Sequence, residues 1–499
     1  MGSLLIAGTG SGVGKSAVVA GLCRWLAREG VRVAPFKAQN MSLNSFVTRD
    51  GAEIGRAQAA QAHAARVEPE AAMNPVLLKP GSDTRSQVIV MGRAIGEREA
   101  SSYWGSQHLL MDVVLEAYRD LCGRFDVVIC EGAGSPAEIN LRRGDIANLG
   151  FARAAGVPVV VIGDVDPGGV FAALTGTVAV LDAADQALIA GFLINRFRGD
   201  VTLLEPGLAM LADLTGRPSY GVLPYLPGLA VDAEDAIDAR AFADPAPPHG
   251  SDLLRVHVVT YPRISNHTDL DALASEPGVL VRFVTRPEEL ADADLVVLPG
   301  TRATVEDLGW LRGRGFAPVL RDHAARHRPI LGICGGYQLL GESIEDRVES
   351  RAGSVPGLGL LPVRTHFAAE KTLGRPSVRV DTDPPYEVHG YEIHHGQVRD
   401  GDGGVPSGFP GGCRDGSVTG TLWHGLFEND QFRRDFLREV AATAGRAFVP
   451  APDTSFAAVR EARLDRLADL VSEHADTAAL RALIEGGAPA RPRLRLRLG

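Results

Sequence analysis

Short runs of aliphatic and β-branched residues alternate with helical stretches along the first half of the chain. Helical periodicity fills the intervals between the runs, as at Ser16 to Arg28. The alternation predicts a mostly parallel sheet with helices on both faces, which is a doubly wound α/β domain. The runs that predict its strands are Ser3 to Ala7, Val31 to Phe36, Asp126 to Cys130, Pro158 to Gly163 and Ile189 to Asn195.

The same pattern restarts after a Pro-rich segment at 242–250, which is typical of a linker. We therefore expect a first domain at 1–241 and a second doubly wound α/β domain at 251–445. The remaining residues, 446–499, predict one or two helices and a basic tail that is frayed and solvated, unless it docks as a strand. The strands expected in the second domain are Leu254 to Thr260, Val279 to Val284, Asp294 to Leu298 and Pro329 to Ile333.

Length, charge and composition argue against some classes of binding partner. The length of 499 residues exceeds one ordinary core. A net charge of -10 argues against a surface that coats nucleic acid. No apolar run approaches the roughly 20 residues of a membrane helix, so we expect no membrane partner. The five cysteines have no metal-ligand spacing, which favours reduced thiols and a cytoplasmic location. The oligomeric state is open.

A glycine-rich loop, GTGSGVGKS at 8–16, follows the first predicted strand and precedes the first predicted helix. Its backbone N–H groups would bind phosphate, Lys15 would reach the terminal phosphates and Ser16 would hold Mg²⁺. The loop has one residue more than G-x-x-x-x-G-K-[ST]. In this it resembles dethiobiotin synthetase and its relatives, which phosphorylate a substrate carboxylate with ATP. The candidate ATP ligands are Gly8, Thr9, Ser11, Gly12, Val13, Gly14, Lys15 and Ser16.

Polar residues also follow other strands of the first sheet, at the carboxyl edge where α/β sites are built. The segment KAQNMSLNS at 37–45 supplies a cation and amides that would orient an anionic substrate or phosphate; a polar helix-capping loop is the alternative. Glu131 ends a buried strand and is placed as a second Mg²⁺ ligand opposite Ser16, unless it is a capping carboxylate. The candidate substrate ligands are Lys37, Gln39, Asn40 and Asn44.

Asn195 and Arg196 follow a later strand. They resemble the segment that contacts the adenine in the relatives named above, so both are candidate ATP ligands. On the residues alone they are equally compatible with a surface loop.

A cysteine in the second half, Cys334, lies in ILGICGGYQLL, which predicts a strand, a sharp elbow and a helix. The helix N-terminus would favour its thiolate form. Gly332 and Gly336 would permit the strained turn, as in the G-x-S-x-G nucleophile elbow. The N–H groups of Gly335 and of Gly300, which closes another strand, would stabilise an oxyanion. A buried structural cysteine is the alternative.

The expected partner base is His424, at a strand end in TLWHGLFE. This arrangement resembles the triad-type (class I) glutamine amidotransferase domain, in which glutamine would acylate Cys334 and release ammonia. That family carries Glu two residues after the histidine, where this chain has Leu426. Glu392 and Glu428 are the candidates to replace it as the group that orients the imidazole.

Three further histidines, His389, His394 and His395, are compatible with a metal site. The stretch GYEIHHG that contains two of them is better interpreted as a structural or glutamine-pocket strand near Cys334.

Taken together, the motifs resemble the family of the cobyric acid synthases over nearly the whole chain. The resemblance rests on the phosphate loop, QNMSLN at 39–44, EGAGSP at 131–136, GDVDPGG at 163–169 and the domain with Cys334 and His424. It implies that ATP and Mg²⁺ convert a carboxylate into an acyl phosphate, which ammonia from glutamine turns into an amide. The implied substrate is adenosylcobyrinic acid a,c-diamide, amidated at its b, d, e and g carboxylates in cobalamin biosynthesis.

The residues by themselves predict ATP-dependent amidation of a carboxylate. A related cobyrinic acid a,c-diamide synthase, another ATP-dependent amidotransferase and a non-catalytic ATP-binding regulator are the alternatives. Leu426 suggests the regulator, whereas QNMSLN favours the cobyric acid synthase family. A polyanionic substrate would need cations, for which the candidates are Lys79, Arg85, Arg142 and Arg143.

Overall fold

The computed structural model describes residues 2–81, 85–99, 107–226 and 245–494. Two large sheets, one in each half of the chain, carry helices on their faces, as the predicted α/β class requires. None of the helices within the described ranges is long and apolar enough to cross a bilayer.

Six strands form the sheet of the N-terminal half, and all their pairings are parallel. The first strand is central, with Leu5 opposite Val159 on one side and Cys130 on the other. The five predicted strands are confirmed, with shifts of one or two residues at their ends. In order across the sheet, the strands are Ser219–Pro224, Ile189–Phe197, Val159–Asp164, Gly2–Gly8, Val127–Glu131 and Val33–Phe36.

The helices of this half flank the six-stranded sheet. Helix α1 (Lys15–Arg28) starts directly after the glycine-rich loop, and helix α2 (Arg56–Ala64) packs against it. The other helices are Gln107–Arg124, Leu149–Ala155, Val170–Ala179, Ala183–Leu188 and Glu205–Thr215.

A second, smaller sheet in this half is absent from the sequence prediction. Its strands are short and mix polar with apolar residues, so the apolar pattern that marks buried strands is missing. In order they are Gln39–Met41, Val76–Pro80, Arg85–Val90 and Arg93–Glu99. A hairpin of Ser45–Val47 and Glu53–Gly55 lies beside helix α2.

The C-terminal half contains a seven-stranded sheet whose first five strands are parallel. The four predicted strands of this half are confirmed. The order is Val279–Val284, Leu254–Val259, Leu295–Leu298, Ile330–Ile333, Val418–Thr421, Gly412–Asp415 and Gly408–Phe409. Its helices are Asp269–Ala274, Thr304–Gly313, Phe316–Ala325, Gly335–Leu340 and Asp430–Ala444, and Ile264–Ser265 pairs with Gly300–Thr301.

A β-extension of the C-terminal half reaches the N-terminal half. Lys371, on its longest strand, donates a 2.6 Å hydrogen bond to Glu53, which also accepts one from Lys79 at 2.9 Å. Phe46 and Tyr391 pack with their ring centroids 5.3 Å apart, which adds an apolar contact to the charged one. The strands of the extension are Ser343–Asp346, Gly353–Pro356, Val363–Gly374, Glu392–Asp400, Ser377–Val380 and Tyr386–His389.

Two C-terminal helices, Phe456–His474 and Thr477–Gly486, pack on the N-terminal half although they follow the C-terminal sheet in sequence. Leu467 and Val471 are buried in the same apolar cluster as α1. Arg24 of α1 is 2% exposed and pairs with Asp465 and Glu461 at 2.7 and 2.6 Å. The final helices therefore complete the core around the glycine-rich loop.

The tail differs from the frayed, solvated end that we expected. Leu494 exchanges two hydrogen bonds with Gln186, at 2.9 and 3.1 Å, and Arg217 donates to the Pro492 carbonyl at 3.2 Å. This segment docks without forming a strand. The expected end of the tail at 495–499, and residues 242–244 of the expected linker, lie outside the described residues.

Candidate active sites

The glycine-rich loop joins the central strand to α1, as its sequence context predicts. Gly12 and Gly14 have φ values of 72° and 96°, a region that favours glycine. Asn195 donates a 2.9 Å hydrogen bond to the Val13 carbonyl, and a Cβ on Gly14 would lie 2.1 Å from the Asn195 amide nitrogen. The structure thus places Asn195 against the loop backbone, where it fixes the loop's shape.

The side chain of Lys15 folds back over this loop. Its Nζ donates to the Gly10 carbonyl at 2.8 Å and to the Gly134 carbonyl at 3.2 Å. Only 5% of the residue is exposed, so the ammonium is held in the groove between the loop and the segment after Glu131. This is the position from which a lysine would contact terminal phosphates.

Glu131 is the centre of a buried polar cluster beneath the loop. Ser16 Oγ and Lys37 Nζ each donate to its Oε1 at 2.8 Å, and Gln61 Nε2 donates to its Oε2 at 2.5 Å. The structure thus brings together the two predicted Mg²⁺ ligands, Ser16 and Glu131. An oxygen pair of this kind fits Mg²⁺, which takes few protein ligands and fills its shell with water and phosphate oxygens.

The candidate substrate ligands divide into two groups. Lys37 faces Glu131, whereas Asn40 and Asn44 are buried and face α2: Asn40 Nδ2 donates to Gln58 Oε1 at 2.8 Å, and the Asn44 carbonyl accepts from Arg56 N at 3.1 Å. Gln39, at the strand end, is half-buried. The Asn40 side chain and the Asn44 backbone thus hold the segment against α2, and the role of both residues in binding substrate stays a prediction.

The other candidate cations lie apart from one another. Arg196 has a positive φ of 60° and pairs at 2.7 Å with Asp164, which ends the neighbouring strand. Arg142 holds Asp185 through hydrogen bonds of 2.5 and 2.7 Å. Arg143 and Arg85 are exposed, and Lys79 is engaged by Glu53 at the boundary between the halves.

Cys334 lies at the elbow between a central strand and a short helix, with φ 50° and ψ −109°. A Cβ on Gly336 would lie 1.8 Å from the Leu298 carbonyl oxygen, and one on Gly332 would lie 2.7 Å from Tyr337 N. Glycine at both positions therefore lets the turn pack against the neighbouring strand. This is the strained geometry that the sequence predicts for a nucleophile.

The group that orients His424 is Asp269. Asp269 Oδ2 is 2.7 Å from His424 Nδ1, and its Oδ1 accepts a 2.8 Å hydrogen bond from Gly425 N. The expectation of Glu392 or Glu428 is wrong, because Glu392 accepts from the indole N–H of Trp423 at 2.6 Å and Glu428 pairs with arginines.

Sequence reasoning missed Asp269 because it precedes the histidine by 155 residues and lies on a helix rather than at a strand end. The ordering of Asp269, Cys334 and His424 along the chain carries no spacing that would have revealed it.

The charges around His424 favour its protonated form. Burial alone would lower the pKa of the imidazole, but the charges of Asp269 and Cys334 raise the pKa of His424 to about 10. The site therefore favours the imidazolium form of His424 in the Cys334–His424 pair. Gly300 lies beside this pair, since its Cβ would be 3.3 Å from His424 Cε1, and Gly335 packs against Thr301.

A cavity opens over Cys334 and reaches Lys79 of the N-terminal half. It is lined by polar groups from both halves, which suit a small polar ligand. His394 and His395 contribute to its wall, in line with a pocket strand. Within the described residues, no cluster of three or more His, Cys, Asp or Glu side chains could hold a metal ion. The other lining residues include Asn266, Arg302, Gln338, Glu349 and Lys371.

Comparison with known families matches both halves. Residues 4–236 match the CobQ/CobB/MinD/ParA nucleotide binding domain, and residues 255–432 match the CobB/CobQ-like glutamine amidotransferase domain. The fold and the two sites thus define a glutamine amidotransferase joined to a P-loop nucleotide-binding domain.

Proteins named cobyric acid synthase match the chain over nearly its full length. That of Streptomyces avermitilis is 65% identical over 98% of this chain and 97% of its own. That of Streptomyces coelicolor is 64% identical, with the same coverage, and that of Frankia casuarinae is 59% identical over 98% of each chain. The chain belongs to the family of the cobyric acid synthases, and it is an enzyme of the amide ligase class.

Proposed function

We propose that the protein amidates the b, d, e and g carboxylates of adenosylcobyrinic acid a,c-diamide, with glutamine as nitrogen donor and ATP as activator. The observation that carries the proposal is the presence, in one chain, of the Cys334–His424–Asp269 arrangement and of the Ser16–Glu131 pair beneath a phosphate loop. The relatives' name supports the corrinoid, and the free thiols support a reducing, cytoplasmic location.

Glutamine hydrolysis would begin with attack of the Cys334 thiolate on the side-chain amide carbon. Backbone N–H groups at Gly300 and Gly335 would stabilise the oxyanion. As the C–N bond breaks, His424 gives its proton to the leaving nitrogen, which departs as ammonia. Water then attacks the thioester, His424 takes a proton from that water, and glutamate leaves as the C–S bond breaks. Asp269 keeps the imidazole in the orientation that both transfers need.

Activation of the carboxylate would take place at the loop. The substrate oxygen attacks the γ-phosphorus of ATP, ADP leaves, and an acyl phosphate forms; ammonia attacks its carbonyl carbon and phosphate leaves. Lys15 and the loop N–H groups offset the phosphate charge. Mg²⁺ would supply further charge neutralisation, held by Ser16 and Glu131. Lys37 neutralises Glu131. It would help to neutralise the phosphate charge when ATP binds.

The decisive experiment is a product assay by mass spectrometry with ATP, Mg²⁺, glutamine and adenosylcobyrinic acid a,c-diamide. The expected result is four successive replacements of OH by NH₂. Lys15→Ala should abolish amidation and retain some glutamine hydrolysis. Cys334→Ala should abolish glutamine hydrolysis but still amidate when ammonium chloride replaces glutamine.

Other outcomes identify the alternatives. Amidation of cobyrinic acid in place of its a,c-diamide would indicate the related diamide synthase. Glutamine hydrolysis without any corrinoid product would discard the corrinoid substrate. Full amidation by Lys15→Ala would refute the role of the loop.

A further inference from the structure

Helix α2 lies between the two candidate sites and contacts both. Arg56, its first residue, donates from Nη2 to Glu428 Oε1 at 2.8 Å. Gln61 donates to Glu131 Oε2 at 2.5 Å and to the Ser16 carbonyl at 3.3 Å. A helix rises about 1.5 Å per residue, so these side chains start only about 7 to 8 Å apart along one rigid element.

Near the glutaminase site, Arg56 contacts Glu428, which follows His424 in the chain, and Tyr391, which packs against the His424 ring. Glu428 follows His424 by one short turn. Tyr391 stacks on the His424 ring at 5.2 Å between centroids and exchanges backbone hydrogen bonds of 3.0 and 2.9 Å with it. The guanidinium of Arg56 lies 5.9 Å from the Tyr391 ring centroid, and its Nη1 is 3.5 Å from the Tyr391 hydroxyl.

Arg56 is protected from water, whereas Glu428 is partly exposed. The Arg56 side chain is 5% exposed and that of Glu428 is 29% exposed. Burial alone would raise the pKa of Glu428, but Arg56 and Arg460 lower it below its ordinary value. Arg460, from the C-terminal helix Phe456–His474, contributes a second contact to Glu428 at 3.1 Å. Removal of one partner of such a pair leaves the other charge poorly compensated.

At the other end, α2 is attached to the groups that would respond to ligands. Gln61 bonds the carboxylate that would bind Mg²⁺, and Gln58 accepts from Asn40 in the candidate substrate segment. Phosphates and a metal at Ser16 and Glu131 would redistribute these hydrogen bonds. A packed helix passes such a shift on as a rigid body, because its interior does not deform continuously.

We propose that Arg56 is a positioning residue that couples glutamine hydrolysis at Cys334 to the occupancy of the ATP site through helix α2. This inference rests on the proposed function. Its consequence is that the response of glutamine hydrolysis to ligands at the ATP site depends on Arg56, which contacts Glu428 and Tyr391 beside His424. Coupling energies between protein sites typically correspond to a change of about 5- to 150-fold.

The test measures kcat and KM for glutamine hydrolysis with and without ATP, Mg²⁺ and adenosylcobyrinic acid a,c-diamide. In the wild type, kcat should rise on addition of the three ligands within the range of about 5- to 150-fold. In Arg56→Met the rise should disappear while KM for glutamine stays the same, and Arg56→Lys should recover part of it. Arg460→Met is the matched control: it also removes a partner of Glu428, but not the link to α2, and should keep the rise.

Three results would overturn the coupling: a wild-type rate that ignores the ligands, an Arg56→Met enzyme that keeps the rise, or an equal loss in Arg460→Met. Ammonia-dependent amidation by Arg56→Met shows that the variant is folded and that its ATP site works. The proposed function fails separately, when the wild type forms no amidated corrinoid at all.

Discussion

Replacement of Asp269 by asparagine tests the assignment of the third member of the glutaminase site. Both carboxylate oxygens of Asp269 are acceptors, one for His424 Nδ1 at 2.7 Å and one for Gly425 N at 2.8 Å. An asparagine has a single acceptor oxygen. The backbone N–H of Gly425 can only donate, so it would bond to that oxygen. The amide NH₂ would then face His424 Nδ1.

The imidazole would then carry its proton on Nε2, the nitrogen left for Cys334, and it could not accept a proton there. The opposite amide orientation would leave the buried Gly425 N–H facing a donor, at a cost of about 1–3 kcal/mol. The corresponding change in serine proteases lowers kcat about 10⁴-fold. We expect a loss of about 10²- to 10⁴-fold in kcat here, which is about 3 to 5 kcal/mol of barrier.

The assay is glutamate formation from glutamine, run beside amidation with ammonium chloride as nitrogen source. Asp269→Asn should lose the first activity and keep the second, because ammonia bypasses Cys334. Glu392→Gln is the control, since Glu392 bonds Trp423 rather than His424, and it should lose far less. An unchanged kcat for glutamine hydrolysis in Asp269→Asn would refute the role of Asp269.

Three further changes test other parts of the structure. Gly336→Ala places a Cβ 1.8 Å from the Leu298 carbonyl oxygen, so glutamine hydrolysis should be lost while ammonia-dependent amidation persists in parallel assays. Leu467→Ala, at a side chain 2% exposed beside α1, should lower the free energy of unfolding in urea by about 2–5 kcal/mol. Burial would raise the pKa of Glu53, but Lys371 lowers it below its ordinary 4.5; the stability from this carboxylate is therefore present above that pH and lost as pH falls through the lowered pKa. The urea midpoint of the wild type should accordingly exceed that of Glu53→Gln at neutral pH, and the difference should vanish in acid.

Each of these expectations has an outcome that contradicts it. Normal glutamine hydrolysis in Gly336→Ala would mean that the elbow relaxes away from Leu298. A loss below about 0.5 kcal/mol in Leu467→Ala is typical of surface substitutions, and would show that the C-terminal helix is not part of the core. If the urea midpoints of the wild type and Glu53→Gln differed by a constant amount across acid pH, the ion pairs of Glu53 would not be what stabilises the boundary between the halves.

Both large sheets could be predicted because their strands are buried on both faces and are therefore apolar along their length. The Ser16–Glu131 pair followed from the same reasoning, since parallel strands bring their carboxyl ends to one edge. The small sheet around Gln39–Met41 was not predicted, because its strands mix polar with apolar residues and the first of them has only three residues. The roles of Asp269 and Arg56 could not be predicted from the sequence for a different reason. Their partners lie far away in sequence, and long-range pairing leaves no local pattern.

The docked tail shows the limit of arguments from composition. A run of arginines at a chain end is ordinarily solvated, yet Leu494 and Pro492 are bonded to Gln186 and Arg217 through backbone atoms. The tail contributes only backbone atoms to these bonds, and their partners are the side chains of Gln186 and Arg217, so the residue types of the tail could not reveal them.

The position of the last two helices has a consequence for how the protein is made. A ribosome delivers the glycine-rich loop and α1 first, but Leu464, Leu467 and Leu483, which cover α1 and the first strand, are delivered last. Domains generally fold as units while the chain emerges, with the N-terminal one first. Here the N-terminal half leaves the ribosome before the residues that cover this apolar face. The face is covered only after the C-terminal half and the last two helices have been synthesised. A prematurely terminated chain would lack these side chains, and the apolar surface of α1 that they cover would be exposed to solvent.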